Sequence, residues 1–564
     1  MKENINKTNL SIIFLCLSYL LFEFLFIPHW TLTADEFVFA KHISEYTIGI
    51  PYLDFEPYKS VLGHYLLSLP LFFTQGLFEP IFRMKEEIAI INTACIAITC
   101  FWSMRLFDKR AVLLTLFALL ANHYFIIYST DLRVDLLATW ACLFSALAAL
   151  QMRWRLSGLL FSIGFLVSQK ALWYFAAING SLVFCYALFR TSSYSLRSIF
   201  QFNIAAIIPV VIYLMIWSFI ASPTIVLHNF FYDAYVQAGI DFYLPIYWGC
   251  WATVLSHGPF LFLLWPVATY LSIANQSFAD ALSQRRLFIV CVATIALILF
   301  IRYKQPFPYN FVFVFPAFFL LYAEFFTLFT PRRSVFFFLF IVAGIFFPFY
   351  QSLKGAVSFN GHYQQTITSL AATLLKDEGD YVGGIPFLFT KDQPIEGMKN
   401  LIGPQIEYIE TPSEKMGQLL LPSLYLAPTS PEKIIDDFER GSVKLLISNY
   451  RLFSLPPKVI TYFKDHYQHY YGGIYLYAPV IHANQLSFYL KFGGKYRIES
   501  KSTSRLTIDG KRYHAGQLIE LKKGDHLCYA KKDFRLTMVP DITMKLNPAY
   551  QKDYYLLMNR PIVS

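Results

Sequence analysis

The chain has 564 residues, 56% of them hydrophobic and only 15% charged, where an ordinary soluble protein carries ~25% charged residues. Aromatics reach 18%, with 57 Phe and 38 Tyr, and mean hydropathy is +0.45. A soluble surface needs more polar side chain than this, so the composition excludes a soluble enzyme, a disordered regulator and a collagen-like fibre, and points to many membrane spans.

The first apolar run, 10–28, follows Met1-Lys2-Glu3-Asn4 and continues to Pro28-His29-Trp30 without a small-residue cleavage site. It is expected to stay as a helix rather than to be removed as a signal. Further candidate spans are 86–107, 111–129, 133–150, 155–168, 171–190, 199–221, 256–275, 286–302, 309–328 and 334–352, which makes about eleven spans in all. The pair 155–168 and 171–190 reads as a helical hairpin broken at Ser168-Gln169-Lys170.

Basic pairs flank alternate span ends: Lys109-Arg110, Arg153 with Arg155, Arg190 with Arg197, Arg285-Arg286 and Arg332-Arg333, with Lys2 and Lys7 before the first span. Lys and Arg collect on the cytoplasmic side, so an odd number of spans sends the tail beyond about 355 to the outer side. For a membrane protein the placement of charge says more than the net +10, and no nucleic-acid partner is expected.

The opposite loops differ. Residues 29–85 mix acids, bases and aromatics with apolar residues at helical spacing, which suits helices lying along the membrane surface. The loop 222–255 is long and aromatic, and shorter outer connections hold Asp131, Arg133, Asp135, Lys170, Arg302 and Lys304. Ionisable groups at membrane depth are costly and usually functional, so their collection on one face indicates a site opening to the outer side.

Beyond about Ser352 the apolar runs shorten and Gly, Pro, Lys and Asp return. KLLISNYRLF and GGIYLYAPVI read as strands, and SPEKIIDDFERG as a helix capped by Ser430 and closed by Gly441. A mixed α/β unit is expected over 355–484. The alternation in 485–564, with turns at Asp509-Gly510 and Lys523-Gly524-Asp525, predicts a small β-sandwich-like module for packing at the membrane surface or for binding a glycan or partner. The eight cysteines lie mostly in apolar runs without a CxxC, so neither a disulfide framework nor a zinc cluster is expected.

Several residue types have two readings. Asp35-Glu36, just after the first span, can supply a general base and an anchor, or simply acids in a first helical turn with Thr33 as cap. Lys59, in Tyr58-Lys59, can bind a lipid phosphate or snorkel to the interface. Asp135 can pair with Arg133 or Lys170 as structural glue, or face a substrate. Lys170, Arg302 and Lys304 can hold a phosphate or diphosphate, or pair with Asp35, Glu36 or Asp135. His257, at the start of a span, can be a hydrogen-bonded structural residue or a ligand. No Walker loop, GxGxxG, HExxH or GxSxG pattern occurs, so neither ATP-driven chemistry nor hydride transfer is supported.

Taken in order, these stretches resemble the GT-C membrane glycosyltransferases, in the branch of the protein O-mannosyltransferases and the lipid A aminoarabinose transferase (glycosyltransferase family 39 and relatives). Ala34-Asp35-Glu36 matches the family's acidic motif after the first span. Lys59, Leu62 and Tyr65 match a "Lys-Pro-Pro-Leu-x-Tyr-Trp"-like stretch whose two prolines are here Ser60 and Val61. Asp135 resembles the second acid, Ser168-Gln169-Lys170 a "Thr-Lys-Gly"-like turn, His257-Gly258-Pro259-Phe260 a "His-x-Pro-Phe" stretch, and Lys304-Gln305-Pro306 with Tyr309 and Pro316 a "Lys-x-Pro-x-Tyr…Pro" stretch.

The resemblance covers roughly residues 1–330. It implies a GT-C transmembrane catalytic domain over 1–354 and transfer of one sugar, with inversion, from a polyprenyl-phosphate donor to a lipid, glycan or protein acceptor on the outer face. Asp35 would take the acceptor proton, and Glu36 would orient its helix or bind the acceptor. Lys59, Lys170, Arg302 and Lys304 would hold the carrier phosphate, with Tyr65, Asp135, His257 and Tyr309 in the pocket. Tyr58 stands where some relatives carry Glu, so no metal ligand is assigned, and a divalent metal stays open as the one cofactor considered. The implied setting is a bacterial inner membrane with the C-terminal region on the periplasmic side. Membrane lipids are expected partners. A polytopic transporter or lipid flippase is the alternative, and it predicts internal repeats and charges near the bilayer midplane.

Overall fold

The computed structural model describes residues 2–57, 61–74, 76–191, 194–232, 244–257, 259–274, 280–303, 307–328, 349–350, 354, 361–376, 378–389, 391–395, 430–449, 452, 455–500 and 505–552. By contacts the chain divides into two units: Met1–Trp30 with His42–Phe359, and Thr31–Lys41 with Asn360–Ser564.

The first unit is helical. Among the described residues, six helical segments are long and apolar enough to cross a membrane: Leu10–His29, Glu79–Ser103, Gln169–Phe189, Leu196–Ile220, Ala281–Ile301 and Pro308–Leu328. The chain is therefore a membrane protein by the length and apolarity of its helices. The shorter apolar helices Asp135–Leu150 and Trp154–Val167 lie among them. Helix Asp135–Leu150 is apolar on every side and buried along nearly its whole length, which places it at the centre of the bundle. Leu196–Ile220 instead exposes Phe200, Ile204, Ile207, Val211 and Phe219, side chains that only lipid can cover.

Two glycines on Trp154–Val167 explain how tightly these helices meet. A Cβ on Gly158 would overlap the Phe202 carbonyl oxygen, and one on Gly164 would lie 3.2 Å from the Ala138 carbonyl oxygen. Small residues let backbones approach where lipid provides no hydrophobic drive between helices. Ser162 adds a hydrogen bond to the Ala206 carbonyl at 2.6 Å.

The predicted hairpin break is present. Trp154–Val167 ends at an extended Ser168, Gln169–Ala171 forms one 3-10 turn, and Leu172–Phe189 continues as α-helix. The predicted span 111–129 is not continuous. Helix Lys109–Leu120 stops, and His123–Tyr128 starts afresh because the Asn122 side chain accepts the Tyr124 N–H at 2.9 Å. The candidate span 334–352 lies almost wholly outside the described residues.

The second unit is α/β and β-rich. Strands β1 (Asp380–Val382), β2 (Val443–Ile447), β3 (Tyr467–Tyr471) and β4 (Ile474–Tyr477) form a sheet of order β1-β2-β4-β3, parallel only between β1 and β2. The helix expected from SPEKIIDDFERG runs Pro431–Arg440, with the Ser430 hydroxyl accepting the Lys433 N–H at 3.2 Å and Gly441 at its end.

Eight further strands follow: β5 (Val480–Ile481), β6 (Ser487–Leu490), β7 (Gly494–Glu499), β8 (Arg505–Ile508), β9 (Lys511–His514), β10 (Leu518–Leu521), β11 (Gly524–Ala530) and β12 (Phe534–Met538). They build two four-stranded sheets, β10-β7-β12-β5 and β6-β11-β8-β9. Tyr496, Ile498 and Leu536 of one and Leu490, Leu506 and Ile508 of the other share a single buried core, as in a sandwich. The same core reaches Val443, Phe438 and Val459 of the α/β part.

The Asp509-Gly510 turn joins β8 to β9 with both residues at positive φ (48° and 77°), the two-residue hairpin geometry that favours Asp-Gly. Lys522-Lys523 instead carries the chain from one sheet to the other, since β10 pairs with β7 while β11 pairs with β6 and β8.

Thr31–Lys41 belongs to this second unit through specific contacts. The Gln364 amide exchanges two hydrogen bonds with the Leu32 backbone, both 2.8 Å. Lys41 pairs with Asp392 at 2.7 Å, and the Phe37 and Phe387 rings lie 5.1 Å apart. Composition along the chain does not anticipate this grouping.

Candidate active site

Lys170 occupies the 3-10 turn Gln169–Ala171 after the hairpin break. Its ammonium donates to Asp135 Oδ2 at 2.7 Å and to Asn310 Oδ1 at 2.6 Å. The other Asp135 oxygen accepts from the Ser168 hydroxyl at 2.8 Å. Asp135, Asn310 and Ser168 are buried, so this is a charge-assisted set held away from solvent. Asp135 sits in the first turn of its helix, where the helix dipole favours an acid.

Tyr309, in the 3-10 segment Pro308–Val314, joins the same place. The Arg133 guanidinium lies 3.5 Å from the Tyr309 ring centroid, and Lys170 Nζ lies 5.9 Å from it. Both cations thus share one aromatic face region, as cation–π geometry allows. Tyr128 meets the Tyr309 ring edge-on at 6.3 Å.

The helix Val61–Leu67 reaches the same cluster through a glycine. A Cβ on Gly63 would lie 2.6 Å from Val134 Cγ1 and 3.2 Å from Val167 Cγ1. Those valines adjoin Arg133, Asp135 and Ser168, so only Gly lets the first loop approach the charged residues this closely. Beside it stand aromatic groups: Tyr46 meets Tyr65 and Phe55 edge-on at 4.9 Å and 5.1 Å, and the tilted His64 ring at 5.5 Å. Tyr52 and Tyr213 hydroxyls are 3.0 Å apart, and the Tyr213 hydroxyl also accepts the Val61 N–H at 3.3 Å.

Four stretches that sequence reading singled out therefore meet within the first unit: 61–67, 131–135, 168–170 and 307–314. Arg302 is exposed at the C-terminal cap of Ala281–Ile301. Lys59 and Lys304 lie outside the described residues, as does the His257 side chain.

Asp35 and Glu36 belong to the second unit and start the helix Ala34–Glu45. The buried Glu36 carboxylate accepts the Thr33 N–H at 2.8 Å, and Thr33 Oγ1 accepts the Glu36 N–H at 3.3 Å. This reciprocal pair is a capping box, which orients the helix that carries Asp35. Asp35 is half-buried next to it.

The sequence reading passed over a buried polar brace behind Asp131. Glu23, in the middle of the first span, accepts from the Ser129 hydroxyl at 2.9 Å and the Thr130 hydroxyl at 3.2 Å. Asn92 donates to the Ser129 carbonyl at 2.8 Å and to the Tyr19 hydroxyl at 2.9 Å, while accepting the Trp140 indole N–H at 2.9 Å. Lys85 is buried as well. The available signal was an acid interrupting an apolar span, which is rarely placed without purpose. Asn310 was also missed, since a single Asn in an aromatic stretch carries no pattern.

Among the described residues no group of three or more His, Cys, Asp and Glu side chains gathers as metal ligands would. No protein-family model matches the chain, and no curated protein matches it. Among solved structures, it is similar to the crystal structure of an oligosaccharyltransferase from Archaeoglobus fulgidus in the apo form. That similarity has a TM-score of 0.44 at 12% identity, over 90% of this chain and 76% of the other.

Proposed function

We propose that this chain is a membrane glycosyltransferase of the GT-C type, which moves one sugar from a polyprenyl-phosphate carrier to a hydroxyl acceptor on the outer face of a bacterial inner membrane. The observation that carries this reading is the meeting of Lys170, Asp135, Asn310, Arg133 and Tyr309 beside the Gly63 helix, in a protein of apolar spans. An ammonium held by buried Asp135 and Asn310, with a guanidinium over the Tyr309 ring beside it, suits a phosphate attached to a lipid, because the charge is preorganised and the surroundings are poor in water.

In the proposed reaction the acceptor oxygen attacks the sugar C1 as the C1–O bond to phosphate breaks. The polyprenyl phosphate leaves with the bonding pair, and C1 inverts. Lys170 and Arg133 stabilise the charge that develops on the departing phosphate. Asp135 and Asn310 hold the ammonium in place, so it need not reorganise as the charge grows. Asp35 is the proposed base for the acceptor hydroxyl, and Glu36 fixes its helix through the capping box. Lys59, Arg302 and Lys304 remain proposed phosphate contacts, and Tyr65 and His257 proposed pocket residues, from the family resemblance.

The test is sugar release from a panel of labelled polyprenyl-phosphate sugars by the purified chain, with Asp35→Asn beside it. Turnover of one donor by the wild type and its loss in Asp35→Asn is the expected result. Near-normal turnover in that variant overturns the base assignment. Donor binding without turnover in the presence of lipid, glycan and peptide acceptors overturns the transferase reading.

A further inference from the structure

On a sheet with one buried face, the outward positions ordinarily read polar. The outward face of sheet β6-β11-β8-β9 sets large apolar and aromatic side chains among its polar ones. Leu527 is 70% exposed, Tyr489 54% and Tyr529 53%. Register sets them side by side: Leu527 faces Ser487, and Tyr489 lies on the same two strands opposite Asp525. Tyr529 faces Thr507, which in turn faces Arg512. Arg512 therefore shares the face with Tyr529.

Charge points the same way. Residues 485–564 contain fifteen Lys or Arg against seven Asp or Glu, which is +8 of the chain's net +10. Of the acids near this face, Asp509 is engaged by His526 at 2.6 Å and by the Leu527 N–H at 3.0 Å, and Asp525 lies at the Tyr489 end.

We propose that this face docks onto an anionic lipid surface. Leu527 is the most exposed of its three large side chains and suits hydrocarbon, whereas a sugar polymer would use the tyrosines alone. Tyrosine is enriched at the membrane interface, and Lys and Arg are drawn to anionic headgroups. The chain that carries the face is itself anchored by apolar spans, so the face meets a bilayer at high effective concentration. The inference is independent of the proposed catalysis.

The test uses the full chain in nanodiscs of phosphatidylcholine alone and of phosphatidylcholine with phosphatidylglycerol. Amide hydrogen exchange is followed in Ser487–Leu490 and Lys511–His514, the two edge strands of the sheet. Exchange roughly tenfold slower in the anionic discs, relieved by high salt and absent in Leu527→Ser/Tyr529→Ser, is the expected result. Unchanged exchange in the interior strand Gly494–Glu499 of the other sheet verifies that the double variant is folded. Equal exchange in both discs overturns the proposal, as does retained protection in the folded double variant. Protection by soluble polygalacturonate but not by anionic lipid overturns it in favour of a glycan.

Discussion

The Lys170–Asp135 pair permits a sharp test of how the site is held together. Asp135→Asn leaves an ammonium, with side-chain exposure of 17%, facing a neutral partner and Asn310. Breaking a buried pair from one side costs about 3–5 kcal/mol, mainly because the remaining charge is stranded. Partial exposure of Lys170 puts the expected loss at the lower end, about 3 kcal/mol. Lys170→Met strands the carboxylate instead, with Ser168 still donating to it, and is expected to lose a similar amount.

The double variant strands neither charge, so its loss should fall about 2–3 kcal/mol short of the sum of the single losses. Denaturant unfolding of all four forms in detergent measures this. Losses that add within about 0.5 kcal/mol refute a direct, energetically coupled pair. Donor affinity in the same samples separates bracing from binding. If Lys170 holds the carrier phosphate, affinity is lower in Lys170→Met and in the double variant than in Asp135→Asn, although all three are destabilised to a similar extent. Equal affinity in the three variants refutes the phosphate role.

Three further outcomes follow from named contacts. Gly63→Ala forces Val134 or the helix Val61–Leu67 to shift, at about 1–3 kcal/mol, and is expected to lower sugar turnover; unchanged turnover and melting would show that the close approach is dispensable. Thr33→Ala removes the capping side chain and should cost about 1 kcal/mol, with Thr33→Ser recovering most of it, measured by thermal melting.

The third concerns pH. Burial pushes the His526 imidazole down, but hydrogen bonds to Asp509 and the Lys522 carbonyl outweigh it and hold it above its ordinary value. The His526 hydrogen bond, opposed by burial and aided by the Leu527 N–H, holds Asp509 below the usual carboxylate range. The raised His526 value stabilises the fold fully below about pH 6.5 and fades as pH rises through the folded value. The lowered Asp509 value stabilises it above about pH 4 and fades as pH falls through the folded value. The melting difference between wild type and His526→Gln should therefore be larger at about pH 5.5 than at about pH 9; a gap that widens with pH contradicts the assignment.

Much of the local structure was legible along the chain. The apolar runs read as helices because a bilayer requires about twenty apolar residues and internal hydrogen bonds, both visible in one segment. Ser430 and Gly441 bounded their helix, and Asp509-Gly510 made its hairpin, because caps and tight turns are decided by a few adjacent residues. The break at Ser168-Gln169-Lys170 belongs to the same class. Asn122 shows the limit: one side chain accepting one N–H interrupted a helix whose apolar pattern continued.

Tertiary packing decided the rest. Asn310 meets Lys170 across 140 positions, and Glu23 meets Ser129 across 106, so neither pairing has a local signature. Gly63 approaches Val134 only because two helices pack there without a side chain between them. Thr31–Lys41 joins the C-terminal unit through Gln364 and Asp392, more than 300 residues away. Residue spacing along the chain specifies which face of an element is apolar or charged. Which faces meet depends on the complementarity of side chains distant in sequence, and that decision gathered the charged cluster around Lys170.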